Sequence, residues 1–333
     1  MILVTGGTGL VGSHLLYHLS LENDKIRATF RTKSSLEKVK KVFSYYTSDE
    51  SFFSKIDWFQ ADITDVPAMI PAFESISQVY HCAAFISFNS KDYRKMRKAN
   101  IHGTAIIVNL SIAAKIDKLC FVSSIAAVGD SLKGDIITEE NEWNKELDNS
   151  GYSITKFGAE MEVWRASQEG IDVVIVNPGV ILGSGFWNSG SGKLFSQVYN
   201  GFKYYTEGIT AFVSVTDVVK PMILLMNSDI KNERFILVSE NKSFKEIFFS
   251  IADSFGKKRP TKKVKPWQTA FFWRVSSVLS FITRKEPLLS KYSARSAHSI
   301  SKYSSEKIEK VLGFKFEFIE NSIKRVCENY SKL

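Results

Sequence analysis

Apolar residues in the first half of the chain cluster in short runs, several of them unbroken, separated by stretches whose apolar positions recur every three or four residues. The runs at residues 2–5, 26–30, 58–61, 79–82, 119–123 and 173–177 read as strands. Runs without polar alternation are those expected of strands covered on both faces. Between them, residues 9–21, 34–46, 66–73, 93–114 and 153–169 carry helical spacing. Strands alternating with helices predict an α/β fold, a doubly wound parallel sheet of Rossmann type with helices on both faces.

After Pro178 the pattern changes. Residues 183–192 are rich in Gly and Ser and read as a loop, while 212–215 and 235–238 read as further strands. Residues 257–304 are basic and aromatic, and 305–333 read as helix, turn at Gly313, helix. Phe271, Val275, Val278, Leu279 and Ile282 share one face of a helix over 267–282. We expect that stripe to pack on the protein's own core. An interfacial helix touching anionic lipid is the second reading.

Composition narrows the setting. The chain has 333 residues, 44% hydrophobic and 24% charged, enough for one large domain or two coupled ones. Three scattered cysteines offer no disulfide framework, and no Cys/His cluster offers a metal site. His14, His18, His81, His102 and His298 show no metal spacing, so structural roles are expected, and Cys82 reads as a small buried hydrophobe. The chain opens directly into an apolar run with no basic leader, and no apolar stretch reaches the ~18 residues of a membrane span. A cytoplasmic, reducing setting follows as the expectation. The net charge is +9, and six of the nine residues 257–265 are basic. A positive field draws anions, but the cluster reads as a solvated face and nucleic acid is not expected as a partner.

Candidate chemistry begins at Thr5-Gly6-Gly7-Thr8-Gly9-Leu10-Val11-Gly12, between the first strand and the first helix. Glycines there let the backbone turn tightly and approach a pyrophosphate, which the free N–H groups of the helix start then hold. Thr5, Gly6, Gly9, Leu10, Val11 and Gly12 are therefore candidate dinucleotide contacts. At the end of the second strand, where an NAD site usually places an acid, stands Arg31, with Lys33 and Lys38 following. A guanidinium there suits the 2′-phosphate of NADP, so NADP is the expected cofactor and NAD the alternative. Asp62 and Ile63, after the third strand, are candidates for the adenine side; Asp62 could equally cap the helix beginning at Val66. The chain thus divides into a dinucleotide-binding core, residues 1–178 plus 212–238, and a smaller, mostly C-terminal substrate-binding cap, residues 179–211 plus 239–333.

Tyr152 and Lys156 stand four apart in a predicted helix and so share a face. A phenol titrates near ~10, and a neighbouring ammonium lowers that value. Ser124 lies at the carboxyl end of the fifth strand, where open α/β sheets place ligands, although a serine there can also simply cap a turn.

Together, Thr5–Gly12, Ser124, the Tyr152/Lys156 pair and Asn177-Pro178-Gly179 resemble the extended short-chain dehydrogenases/reductases, also called the NAD-dependent epimerase/dehydratase family. Arg27-Ala28-Thr29-Phe30-Arg31 and Asn177-Pro178-Gly179-Val180 look most like its dihydroflavonol-reductase and cinnamoyl-CoA-reductase branch. The resemblance covers most of residues 1–240. It implies a catalytic set in which Ser124 orients a carbonyl, Tyr152 gives a proton, and Lys156 tunes Tyr152 and holds the cofactor ribose. It further implies that Pro178 and Val180 line the nicotinamide pocket and that homodimers form through helix pairs. Where relatives often carry glycine after the fourth strand, this chain has Ala83 and Ala84, small enough for cofactor approach. Phe85, Ile86 and Phe88 then make an apolar wall suited to a bulky apolar substrate. The leading expectation is an NADP(H)-dependent oxidoreductase reducing a small-molecule ketone or aldehyde. A nucleotide-sugar epimerase/dehydratase using NAD and a non-catalytic NADP(H)-sensing binding protein are the alternatives.

Overall fold

The apolar runs do become the strands of the main sheet. The computed structural model describes residues 1–131, 134–283 and 289–332, so 284–288 and Leu333 of the expected cap lie outside the described residues. Its strands are β1 (Ile2–Thr5), β2 (Ile26–Phe30), β3 (Asp57–Gln60), β4 (Gln78–His81), β5 (Lys118–Val122), β6 (Asp172–Pro178), β7 (Val180–Leu182), β8 (Tyr204–Tyr205), β9 (Ile209–Ser214), β10 (Glu233–Leu237), β11 (Glu240–Ser243) and β12 (Lys262–Lys263).

Seven of these form one parallel sheet in the order β3-β2-β1-β4-β5-β6-β10. The fold is the doubly wound α/β sheet expected. The strand order reverses between β1 and β4, which pair with Thr5 opposite His81. The crevice over the carboxyl ends of that pair is where such sheets bind ligands. Side chains alternate between the two faces. Ile2 and Val4 pack under the helices Leu10–Ser20 and Val215–Met226, with Leu15, Leu16, Val218 and Met222. Leu3 points the other way, among Ile107, Val108, Ala159 and Val163 from the helices Gly103–Ala113 and Gly151–Gln168.

The strand expected at 212–215 forms as β9, but it joins a second sheet, β11-β9-β7. Gly179 lets β6 run almost directly into β7: a Cβ there would lie 2.6 Å from the Ala211 carbonyl oxygen. Around this sheet a separate apolar cluster gathers Leu182, Phe195, Phe212, Ile247, Ile251 and Ile323.

The stripe expected to pack inward over 267–282 does the opposite wherever its side chains are described; that of Ile282 lies outside them. In the helix Pro266–Thr283, Phe271, Val275 and Val278 are exposed, as are Trp267 and Phe272. Thr269 and Ser280 are buried instead. No helix among the described residues is long and apolar enough to cross a membrane.

Candidate active site

Five segments meet at the carboxyl edge of the main sheet: the turns after β1 and β4, the ends of β5 and β6, and the start of the helix Gly151–Gln168. Ser150 starts that helix, its Oγ accepting from the Ser153 N–H at 3.0 Å. Tyr152 thus falls in the first turn and Lys156 one turn later, on one face.

Lys156 is 2% exposed. Its Nζ donates to the Val122 carbonyl at 2.8 Å and lies 4.3 Å from the centre of the Phe121 ring. Burial pulls its titration from 10.5 down to about 8, against the opposing charge of Glu160. Burial pushes the Tyr152 phenol above its usual value, and the hydrogen bond with the Ser124 side chain opposes that rise. The expected lowering of the phenol by Lys156 is therefore not what this geometry produces: the ammonium is turned to Val122. Ser124 serves the turn that follows it and also meets Tyr152. It caps the short turn Ile125–Ala127, accepting from the Ala126 N–H at 3.1 Å, and it engages Tyr152. The Phe88 ring meets Tyr152 edge-on at 5.8 Å, and Ile86 is exposed nearby in sequence.

The glycine turn has the form a pyrophosphate needs. Gly6 sits at φ +70°, and a Cβ on it would lie 2.5 Å from the Ala83 backbone nitrogen. A Cβ on Gly12 would lie 2.2 Å from the Gly6 carbonyl oxygen, so helix and turn pack at backbone distance. The position of a Cβ on Gly9, by contrast, meets only that oxygen at 3.4 Å. The helix beginning at Leu10 has no side-chain cap and no acid in its first turn, leaving the Leu10 and Val11 amides available to an anion. These residues fit a dinucleotide phosphate.

Arg31 and Lys38 are exposed beyond β2. Asp62 accepts from the N–H and hydroxyl of Thr64, both at 2.8 Å. Partial burial pushes its carboxyl up, but the Thr64 bonds together with Arg31 and Lys98 hold it below the usual range. Capping of the helix Val66–Met69 falls to Asp65, which accepts from the Ala68 N–H at 3.2 Å, and not to Asp62. Ile63 lies 2.7 Å from where a Gly103 Cβ would stand. Ala83 is half-buried and Ala84 exposed; Pro178 is buried at the end of β6 and Val180 half-buried in β7.

Two site residues escaped the sequence. Buried Glu160 accepts from the Ser123 hydroxyl at 2.6 Å and from the Asn177 amide at 2.9 Å, and pairs with Arg234 at 3.3 Å. Its position four residues after Lys156 was the available signal. Asn100 accepts from the Phe85 N–H at 2.7 Å and donates to the Phe85 carbonyl at 3.0 Å and Thr155 Oγ1 at 3.1 Å. Nothing in the spacing marked it. His81 is held between Thr5 Oγ1 at 2.6 Å and Thr104 Oγ1 at 2.9 Å, and burial lowers its titration to about 3, which makes it a neutral structural group. Burial pushes the Cys82 thiol up to about 12, so no thiolate stands there.

Comparison with known proteins agrees with this geometry. The family described as male sterility protein, an NAD-binding family, matches residues 4–222. The chain is similar to sterol demethylase protein B of Methylococcus capsulatus, 26% identical over 317 residues, 93% of this chain and 92% of that one. It is similar to anthocyanidin reductase of Arabidopsis thaliana, 28% identical over 267 residues, 73% of this chain and 77% of that one. The crystal structure of gox2253 superposes with a TM-score of 0.81 at 24% identity, covering 100% of this chain and 98% of that one, a likeness of fold. With its glycine turn, its Ser124/Tyr152/Lys156 edge and this match in hand, the chain belongs to that NAD-binding family within the extended short-chain dehydrogenases/reductases, whose members are NAD(P)-dependent oxidoreductases.

Proposed function

We propose that this protein reduces a ketone or aldehyde on a bulky, apolar small molecule, with NADPH as reductant. The observation that carries the reading is the convergence of Ser124, Tyr152 and Lys156 beside an uncapped glycine turn at one sheet edge. Thr5, Gly6, Gly9, Leu10, Val11 and Gly12 would hold the pyrophosphate. Arg31 and Lys38, open to solvent, would meet the 2′-phosphate, and Asp62 and Ile63 the adenine. Ala83, Ala84, Pro178 and Val180 would flank the nicotinamide, which when bound supplies the hydride.

The protein's own part is proton delivery and charge stabilisation. Tyr152 is kept protonated by its burial. It can donate to a carbonyl oxygen as negative charge develops there, with the Ser124 hydroxyl bonding the same oxygen. Lys156, cationic below about 8, keeps a positive charge at this edge and offers donors to a ribose, while its bond to the Val122 carbonyl leaves the phenol itself unlowered. Phe88 presents apolar surface beside Tyr152, which suits an apolar substrate better than a hydroxyl-rich one. The reductase and the sterol-linked protein among the relatives support reduction of a multi-ring compound.

The test is Tyr152→Phe. Removing the transferable proton should cut turnover at least ~100-fold, the usual scale of general acid catalysis, while NADPH affinity stays nearly unchanged. Single-turnover NADPH oxidation against a panel of apolar ketones and aldehydes reads the first, and fluorescence titration the second. Undiminished turnover would refute the assignment.

A further inference from the structure

The helix Pro266–Thr283 is inside out. Thr269, Trp273, Ser276 and Ser280 recur at helical spacing on the protein-facing side, with Thr269 and Ser280 buried and the other two half-buried. That side is held by polar contacts: Thr269 Oγ1 lies 3.0 Å from His298 Nε2, and Ser276 Oγ accepts from the Leu289 N–H at 3.2 Å. On the opposite side Trp267, Phe271, Phe272, Val275 and Val278 face outward, Trp267 67% and Phe271 60% exposed. A globular protein normally turns such a stripe inward; here it stays exposed, with Arg274 on the same side donating to the Ala270 carbonyl, and exposed apolar surface of this kind marks an interaction surface.

The chain leading into this helix is cationic. Lys257, Lys258, Arg259, Lys262, Lys263 and Lys265 fall within nine residues. Among the described residues Arg259 pairs with Asp253 and Lys263 with Glu207, while Lys257, Lys258, Lys262 and Lys265 have no carboxylate partner. Lys262 lies over the ring of exposed Tyr204 at 5.8 Å, so an aromatic and a cation stand together on the β8–β12 ribbon.

We propose that this face docks on an anionic membrane surface, with the apolar stripe in the acyl boundary and the lysines at the headgroups. The charge selects the occupant. Anionic lipid complements the lysines, and an apolar side flanked by cations and aromatics is the composition of a helix lying in the interface plane. A second copy of the chain seated here by two-fold symmetry would bring two such cationic clusters together, which like-charge repulsion opposes. The helix lies on the membrane and does not span it.

Flotation of the full chain with phosphatidylcholine vesicles, with and without phosphatidylglycerol, tests this. Binding is expected only to the phosphatidylglycerol vesicles and should fall at high salt, where the Debye length shrinks to about 3 Å. Phe271→Ser with Phe272→Ser should abolish it. Lys258→Gln with Lys265→Gln should weaken it about fivefold per charge removed. All four side chains are exposed, so the melting temperature should hold in both variants and show that folding is intact. Failure to bind anionic vesicles would overturn the proposal, as would binding that neither variant changes. A dimer in sedimentation that Phe271→Ser converts to monomer, with no vesicle binding, would also overturn it.

Discussion

Lys156 is the residue whose environment departs most usefully from water. Burial brings its titration to about 8, so at neutral pH it is mostly protonated yet close to losing its charge. Tyr152, a few ångströms along the same helix face, is shifted the other way and keeps its proton well past that point. The two shifts assign the pH dependence. In the reductive direction the phenol must be protonated and the lysine cationic. As pH rises the lysine fails first, so activity should be level on the acid side and decline through about 8 with the slope of one proton. The quantity to follow is kcat/KM for NADPH against pH, which reports groups of the free enzyme. A decline only near ~10, where unperturbed phenols and lysines titrate, would show that no lysine depressed by burial governs the rate.

At the scale of elements, Glu160 ties three strands' worth of structure to one helix. Its two oxygens take the Ser123 hydroxyl after β5, the Asn177 amide in β6 and the Arg234 guanidinium in β10. The carboxylate is fully buried, and Arg234 also donates to the Glu139 and Asn141 carbonyls. Removing one member of a buried pair typically costs about 3–5 kcal/mol. Glu160→Ala is expected at the lower end, since Arg234 keeps those carbonyls, and Glu160→Gln should cost clearly less. Urea unfolding measures both, and an alanine variant as stable as the parent would remove the tie from the account. None of this tie was readable in the chain, because Glu160 and Arg234 are 74 residues apart. What was readable is local. The helical period put Tyr152 and Lys156 on one face, and the glycine spacing marked a turn whose neighbours forbid a Cβ. The same period found the stripe at Phe271, Val275 and Val278 but carries no information about which side meets the protein. Likewise β9 looked like any other apolar run, and only tertiary pairing put it in the smaller sheet.

On the scale of the whole molecule, the question is whether the cofactor-binding edge and the C-terminal elements behave as one body. The chain's end returns to both clusters. Ile308 is buried in the main core, and the Ser305 hydroxyl bonds both the N–H and the carbonyl of Val238. Ile323 and Val326 of the last helix sit in the second cluster, while Asp217, at the start of a core helix, accepts from the Glu317 N–H at 2.8 Å. Asn329 and Ser184 join the last helix to the loop after β7 at 3.1 Å. With apolar burial and hydrogen bonds crossing both ways, neither part should unfold alone. Calorimetry should therefore show a single transition that a ligand of the glycine turn moves as a whole. NADPH at about 100 times its dissociation constant stabilises the folded state by about 2.7 kcal/mol. With an unfolding entropy of about 2.1 cal/mol/K per residue over 333 residues, that corresponds to a rise of about 4 °C in Tm. NADH at the same concentration should move it less, because it lacks the phosphate that Arg31 and Lys38 would bind. Two transitions, of which NADPH shifts only one, would separate the core from its C-terminal elements; equal shifts with NADH and NADPH would leave Arg31 without the role proposed for it.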